Sequence, residues 1–126
     1  MSRNSDLKDR TRQYAIRVIQ LVNAAPSSIT GQVIVKQLVR SATSVGANYR
    51  SACRARSKAE FIAKLQISLE ESDETLYWLE LMKELRLVDD ADLDRIMVEG
   101  DELTAIFVTA LKTARNKDHP LLHSSF

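Results

Sequence analysis

Residues 57–85 read SKAEFIAKLQISLEESDETLYWLELMKEL, and their pattern predicts the fold class. It opens with a capping box, in which the Ser57 hydroxyl can accept a hydrogen bond from the Glu60 backbone N–H while the Glu60 side chain reaches back. Apolar residues then recur at spacings of three and four, the pattern of a helix with an apolar face. The sequence therefore predicts one long helix, the third of the chain, over residues 58–87.

The apolar residues of this third helix fall into two stripes rather than one. The first stripe consists of Leu65, Leu69, Ser72, Leu76 and Leu79. The second stripe consists of Ile67, Trp78, Leu81 and Leu85. A helix that is apolar on two sides is expected to be buried on two sides, which a single isolated bundle does not require. Association of subunits is the simplest explanation, so the second stripe is the predicted oligomer interface.

Three further helices are predicted from their start and stop signals, and each carries a single apolar stripe. They span residues 6–24, 31–53 and 90–115, and Ser5 is the predicted N-cap of the first. The connections are short, which implies that consecutive helices are antiparallel. The predicted fold is an all-α, antiparallel up-down-up-down four-helix bundle.

The composition agrees with one helical domain. The chain has 126 residues with only three Gly and two Pro, and aromatic residues make up 6%. So few turn-forming and strand-favouring residues leave little room for a β-sandwich or barrel. The length is close to that of one ordinary domain. We expect a single bundle domain over residues 1–115 and a flexible tail over residues 116–126.

Several classes of functional site have no support in the sequence. Cys53 is the only cysteine, which excludes a disulfide within the chain and an all-cysteine metal site. The two histidines, His119 and His123, lie in the predicted tail, and no Glu-x-x-His pair supplies ligands for a di-iron centre. No catalytic triad is supported either. We expect no enzyme activity, no metal, no cofactor and no small-molecule substrate.

The expected location is the cytoplasm. Residues 1–12 are polar and lack the apolar segment of a secretory signal. No apolar run approaches the ~20 residues that are needed to cross a bilayer, so no membrane association is expected.

The charges are distributed unevenly along the chain. Residues 1–64 carry twelve Lys and Arg against three Asp and Glu, a net charge of +9. Residues 65–126 carry six against fourteen, a net charge of −8, so the whole chain has a formal net charge of +1. Two interpretations remain open: the basic half meets nucleic acid, or basic helices pair with acidic ones within a chain or between subunits.

A cluster of cations around the end of the second helix is the candidate nucleic-acid-binding site. Its members are Arg50, Arg54, Arg56, Lys58 and Lys64. Guanidinium forks suit phosphate oxygens, and several together give salt-dependent binding. The alternative is that some of these cations complement the helix dipole and others pair with acids of the third helix. Arg40, deeper in the second helix, is predicted to form a structural ion pair with Glu71 or Glu74.

Three segments form a pattern more specific than a generic bundle. They are QLVRSATSVGANY at 37–49, RARSKAEF at 54–61 and the acid-rich LEESDETLYWLE at 69–80. In order and spacing they resemble the bacterial four-helix bundle proteins named for the intervening sequence of 23S ribosomal RNA genes. Where many members of that family have Ile-Ala-Glu-Gly after the Asn, this chain has Tyr-Arg-Ser-Ala at 49–52, which extends the basic cluster.

The resemblance implies a bundle that assembles into a ring-like homopentamer, and it implies no established activity. A related protein, the accessory variability protein of diversity-generating retroelements, binds its reverse transcriptase and nucleic acid through a basic surface. We therefore expect a non-enzymatic homo-oligomer that binds RNA or DNA, or a nucleic-acid enzyme, at its basic surface. The alternative is a protein-interaction scaffold, or accessory subunit of a nucleic-acid enzyme, that binds no nucleic acid itself.

Overall fold

The computed structural model describes residues 3–25 and 27–116, with side chains from Asp6 onward. This part of the chain forms four helices and contains no strand: α1 (Arg3–Val22), α2 (Ile29–Cys53), α3 (Lys58–Glu84) and α4 (Asp90–Arg115). The predicted all-α class is confirmed. Residues 117–126, most of the predicted flexible tail, lie outside the described residues.

Two of the helices begin at serine N-caps. The Ser28 hydroxyl accepts a hydrogen bond of 3.0 Å from the Gly31 backbone N–H, so α2 begins two residues before the predicted start. The Ser57 hydroxyl accepts one of 3.1 Å from the Glu60 N–H and starts α3. The returning Glu60 carboxylate accepts from the N–H of Arg56, one residue earlier than in the predicted capping box.

Other helix ends differ from the predictions for local reasons. Ser5 is not an N-cap, because α1 begins at Arg3 and therefore already includes it. The end of α3 comes at Glu84 rather than at residue 87. There Arg86 adopts a left-handed conformation with a φ of 53°, and the Leu87 N–H donates across the turn to the carbonyl of Met82 at 3.1 Å. This is a Schellman ending with an arginine in the position that glycine usually occupies.

The order of hydrogen-bonded pairs shows that neighbouring helices are antiparallel. Between α3 and α4 the pairs, in α3 order, are Gln66–Arg115, Ser72–Thr104 and Lys83–Asp94. Between α2 and α3 the pairs are Val45–Ser68 and Ser41–Thr75. In both cases one helix ascends while the other descends. α1 packs against α2 and also against α4, so the four helices surround one core.

The core consists mainly of the predicted stripes. Its largest fully buried apolar side chains are Tyr14, Val18, Leu38, Val45, Leu65, Leu79, Met82, Leu93, Leu103 and Phe107. At the start of α2 the buried core residue is Ile34, and its neighbour Val35 is only half-buried. Met82 is fully buried although it belongs to neither predicted stripe of the third helix, and Leu111 of α4 is buried as well.

Three small polar residues of α3 lie fully buried between α2 and α4. The Ser68 hydroxyl donates to the carbonyl of Val45 at 3.0 Å, the Ser72 hydroxyl lies 2.7 Å from that of Thr104, and the Thr75 hydroxyl lies 3.0 Å from that of Ser41. A buried hydroxyl without a partner would cost about 1–3 kcal/mol, so these pairings are needed for the close approach of the helices.

The core also contains one tight contact between α1 and α4. A Cβ added to Gly100 would lie 2.6 Å from the Tyr14 hydroxyl and 2.8 Å from Leu76 Cδ2. That hydroxyl is buried without a hydrogen-bond partner in the described structure, and its burial raises the pKa of Tyr14 well above the ordinary value. Gly100 is therefore required by the volume of a tyrosine rather than by backbone conformation.

We predict that Gly100→Ala destabilises the fold despite the higher helix propensity of alanine, by about 1–3 kcal/mol of overpacking cost. Tyr14→Phe should be neutral or stabilising, because it removes a buried hydroxyl that has no partner. The double variant should lose less than the two single effects combined. Urea unfolding of all four proteins measures the coupling free energy. An equal cost of Gly100→Ala in both backgrounds would show that the tyrosine hydroxyl is not responsible.

Candidate nucleic-acid interface

The connection between α2 and α3 forms an open groove, which we call the α2–α3 corner. It has a volume of about 390 Å³ and is lined by Ala47, Arg50, Ser51, Arg54, Arg56 and Glu60. α2 ends at Cys53 and α3 begins at Lys58, so the four residues between them turn the chain back on itself. This tight turn places the two connection arginines beside the arginine of the last turn of α2.

The three arginines of the α2–α3 corner have exposed side chains and no carboxylate partner. Arg50, Arg54 and Arg56 form no ion pair within the described part of the chain. The one carboxylate in the groove, that of Glu60, accepts a hydrogen bond from a backbone N–H of the connection. Three guanidinium groups thus face solvent together in one groove.

The other two predicted cations lie beside the groove rather than in its lining. Lys58 and Lys64 are half-buried on the first two turns of α3. Six residues on a helix correspond to about 9 Å along the axis and roughly a third of a turn around it, so the two ammonium groups point in different directions. Of the five predicted cations, the structure brings three into one lining and leaves two at its edge.

Ala47 and Ser51 also line the groove, although neither was singled out from the sequence. Ala47 and Ser51 share one face of α2 with Arg50, and Arg54, the C-cap residue, follows Ser51 by three residues. Their small side chains keep the floor of the groove open. The floor of the groove could have been predicted from the sequence, because small residues recur at helical spacing beside the arginines.

Arg40 belongs to a separate network in the middle of the bundle. Its guanidinium lies 2.9 Å from the Glu71 carboxylate and also contacts that of Glu74. The same Glu74 oxygen accepts a hydrogen bond of 3.1 Å from the indole N–H of Trp78. These ion pairs join α2 to α3. Arg40 does not contribute to the corner, because it lies ten residues before Arg50, about 15 Å away along α2.

These contacts favour the charged forms of both partners. The pKa of Arg40 is raised by its hydrogen bonds to Glu74 and Glu71. The pKa of the Glu74 carboxyl is lowered, first by the hydrogen bond from Trp78 and then by Arg40.

The second apolar stripe of α3 is only partly covered by the rest of the chain. Ile67 is 36% exposed and Leu85 is 51% exposed, while Trp78 and Leu81 are half-buried. We call these four residues the α3 outer face. Trp78, Leu81 and Leu85 recur at helical spacing, and Ile67 lies about three turns before Trp78 on the same side of α3. Exposed apolar surface of this kind commonly contacts other proteins.

The start of α2 adds apolar surface that was not predicted. Ile29 is 83% exposed, and Val33 one turn later is exposed as well. The pairing of Ser41 with Thr75 sets the register of α2 against α3, which brings the first turns of α2 level with the last turns of α3. An apolar pair four residues apart, outside the core stripe, was the signal in the sequence.

The described residues offer no metal site, since no three His, Cys, Asp or Glu side chains come together among them. His119 and His123 fall outside the described residues. Within the same described residues, no helix contains an apolar stretch long enough to span a bilayer.

The sequence profile of the 23S rRNA-intervening sequence protein family matches residues 3–109, which include α1, α2, α3 and most of α4. The chain belongs to this family. In this chain residues 49–52 read Tyr-Arg-Ser-Ala. Here α2 continues without a break through that segment to Cys53, which keeps Arg50 on a helical face.

A solved structure supports the same family fold. It is the crystal structure of a protein of unknown function from the S23 ribosomal protein family of Bacteroides thetaiotaomicron VPI-5482. The two chains share 33% sequence identity and superpose with a TM-score of 0.80, over 88% of this chain and 99% of the other. Among curated proteins, none matches this chain.

The contacts of Glu74 predict a pH-dependent contribution to stability. Its pKa is lower in the folded than in the unfolded state, so its contribution is fully present above the unfolded pKa and is lost as the pH falls through the folded pKa. We expect the difference in unfolding free energy between the native chain and Glu74→Gln to shrink from neutral pH to about pH 3. Urea unfolding at a series of pH values measures it. Glu80→Gln, at an exposed glutamate of the same helix, is the matched control; an equal pH trend in both variants would contradict the assignment to Glu74.

Proposed function

We propose that this protein is a non-enzymatic, cytoplasmic nucleic-acid-binding protein whose α2–α3 corner contacts the phosphate backbone of RNA or DNA. One observation carries the proposal: three arginines share a groove and none has a carboxylate partner in the described structure. By contrast, Arg10 bonds Glu99 through two nitrogens, and Lys83 lies 2.5 Å from Asp94. The corner thus holds cationic groups that the fold itself does not neutralise.

The chemistry of the corner suits the oxygens of a phosphate backbone. A guanidinium presents two parallel N–H donors that match two phosphate oxygens, and such bonds are about twice as strong as neutral ones. Several phosphate contacts displace condensed counterions, which makes binding steeply dependent on salt. Of the two lysines outside the lining, Lys64 follows Glu60 by one turn on the same face of α3, so it would add a point charge beside the groove.

We further propose that the protein is a homo-oligomer assembled through the α3 outer face, in the ring-like homopentamer that the family resemblance implies. Support comes from the exposure of Ile67 and Leu85, because burial of such side chains against another subunit is favourable by roughly 25 cal/mol per Å². Each subunit would contribute one α2–α3 corner. Several weak corners on one particle bind a long nucleic acid more tightly than one corner does.

The second candidate function is a scaffold or accessory subunit that binds a nucleic-acid enzyme and no nucleic acid. The observation that favours it is the same exposed α3 outer face, since a heterologous protein could cover it as well as a second copy of the chain. Salt separates the two functions: phosphate contacts weaken steeply with salt, whereas a contact through leucine, isoleucine and tryptophan persists.

Replacing Arg50, Arg54 and Arg56 together by Glu should weaken binding of a structured RNA by at least ~100-fold at moderate salt, because cations are replaced by anions in the groove. Fluorescence anisotropy of the labelled RNA measures affinity at each salt concentration. The slope of log affinity against log salt should also decrease by roughly one unit per lost phosphate contact.

A matched control changes the total charge equally but leaves the corner intact. It carries Arg17→Glu, Lys36→Glu and Lys112→Glu, at exposed positions on three different helices. This control should retain most of the affinity. Equal losses in the two triple variants would show that net charge, and not the α2–α3 corner, attracts the RNA. Undiminished binding in the corner variant would refute the site.

The oligomer is tested by Ile67→Glu combined with Leu85→Glu, two positions whose exposure lets the folded subunit accept a charge. We expect the particle mass to fall to that of one subunit in light scattering, since carboxylates would be buried at the interface. The control carries Gln13→Glu and Gln20→Glu, exposed positions of α1, and should keep the native mass. An unchanged mass in the α3 variant would refute the interface.

A further inference from the structure

The α2–α3 corner has no aromatic side chain in its lining. The two aromatic residues nearest in sequence are turned toward the bundle: Tyr49 is buried with its ring 6.0 Å from that of Phe107, and Phe61 is half-buried against the core. Tyr77 is 53% exposed but follows Glu60 by seventeen residues, about 25 Å along α3. Within the described ranges, therefore, no aromatic ring is available to stack on a base held at the corner.

This lack of stacking matters because of how single strands are held. Proteins that bind single-stranded nucleic acid combine a basic groove with aromatic rings, and each stacked base contributes about 1–3 kcal/mol. A flexible single strand also loses conformational entropy when its phosphates are fixed in one arrangement. A site with cations alone gains no stacking energy to offset that loss. It favours a ligand whose phosphates are already in fixed positions.

The backbone that carries the three arginines is itself well fixed. The Arg54 N–H donates to the carbonyl of Ser51 at 3.1 Å and closes the end of α2. The Arg56 N–H donates to the Glu60 carboxylate across the start of α3. Arg50 and Arg54 are four residues apart, about 6 Å along the α2 axis. The guanidinium groups thus project from a rigid frame and suit a rigid, repeating array of phosphates.

We infer that the α2–α3 corner binds double-stranded nucleic acid through its backbone and discriminates against single strands. This inference rests on the proposed function and adds the class of ligand. A duplex carries one negative charge per about 1.7 Å of its axis and holds its phosphates in place without the protein. The small Ala47 and Ser51 side chains leave room for a ridge of sugar and phosphate to enter the groove.

The test compares one labelled 20-nucleotide RNA, chosen to lack internal pairing, with the same strand annealed to its complement. The full chain should bind the duplex at least ~10-fold more tightly at equal salt, and a DNA duplex of the same length should also bind. Equal or tighter binding of the single strand would overturn the inference while leaving the proposed function intact. Failure to bind any of the three would refute the proposed function itself.

A gain-of-function variant provides an independent measurement. Ala47→Tyr places an aromatic ring in the groove at an exposed position of α2. It should raise single-strand affinity by at least ~5-fold through stacking and reduce the preference for duplex. Ala47→Leu, which adds bulk without a π-surface, is the matched control and should not raise single-strand affinity. An unchanged preference in the tyrosine variant would contradict the role assigned to stacking.

Discussion

The close packing of α3 against α2 and α4 governs how the other elements are arranged. Ser68, Ser72 and Thr75 let the three helix backbones approach because their side chains are small, and each hydroxyl lies within hydrogen-bonding distance of a group on a neighbouring helix. Larger apolar residues there would separate the helices, and small ones without partners would leave buried polar groups unsatisfied. The contacts of Ser68 and Thr75 set the axial position of α2 relative to α3.

That axial position places charge and apolar surface at opposite ends of the α2–α3 pair. Arg40, Glu71 and Glu74 join the two helices midway, so their charges are largely satisfied within the fold. The arginines at the end of α2 are beyond reach of those acids and remain unpaired in the described structure. At the other end, the first turns of α2 and the last turns of α3 expose isoleucine, valine and leucine. One hairpin thus offers two chemically different surfaces.

Much of this arrangement could be predicted from local patterns. The start of α3 followed from Ser57 and Glu60, since a capping box involves only neighbouring residues. The ion-pair partners of Arg40 could be predicted because its side chain is long and because Glu71 and Glu74 lie about one turn apart on α3. Ser5 was assigned wrongly, because a good capping residue cannot show that the helix already began upstream. The left-handed Arg86 was missed, since glycine is the usual signal for such an ending.

Sequence patterns alone predict the helical class, the helix positions to within about three residues, most of the core and the arginine cluster. These depend on periodicity and on groups close in the chain. The packing of the helices settles instead which cations are neutralised and that Lys58 and Lys64 fall outside the lining of the α2–α3 corner. It also settles that Ala47 and Ser51 open the floor of the corner and that Gly100 makes room for Tyr14. Those outcomes depend on how two helices approach and rotate, which is set by contacts distant in sequence.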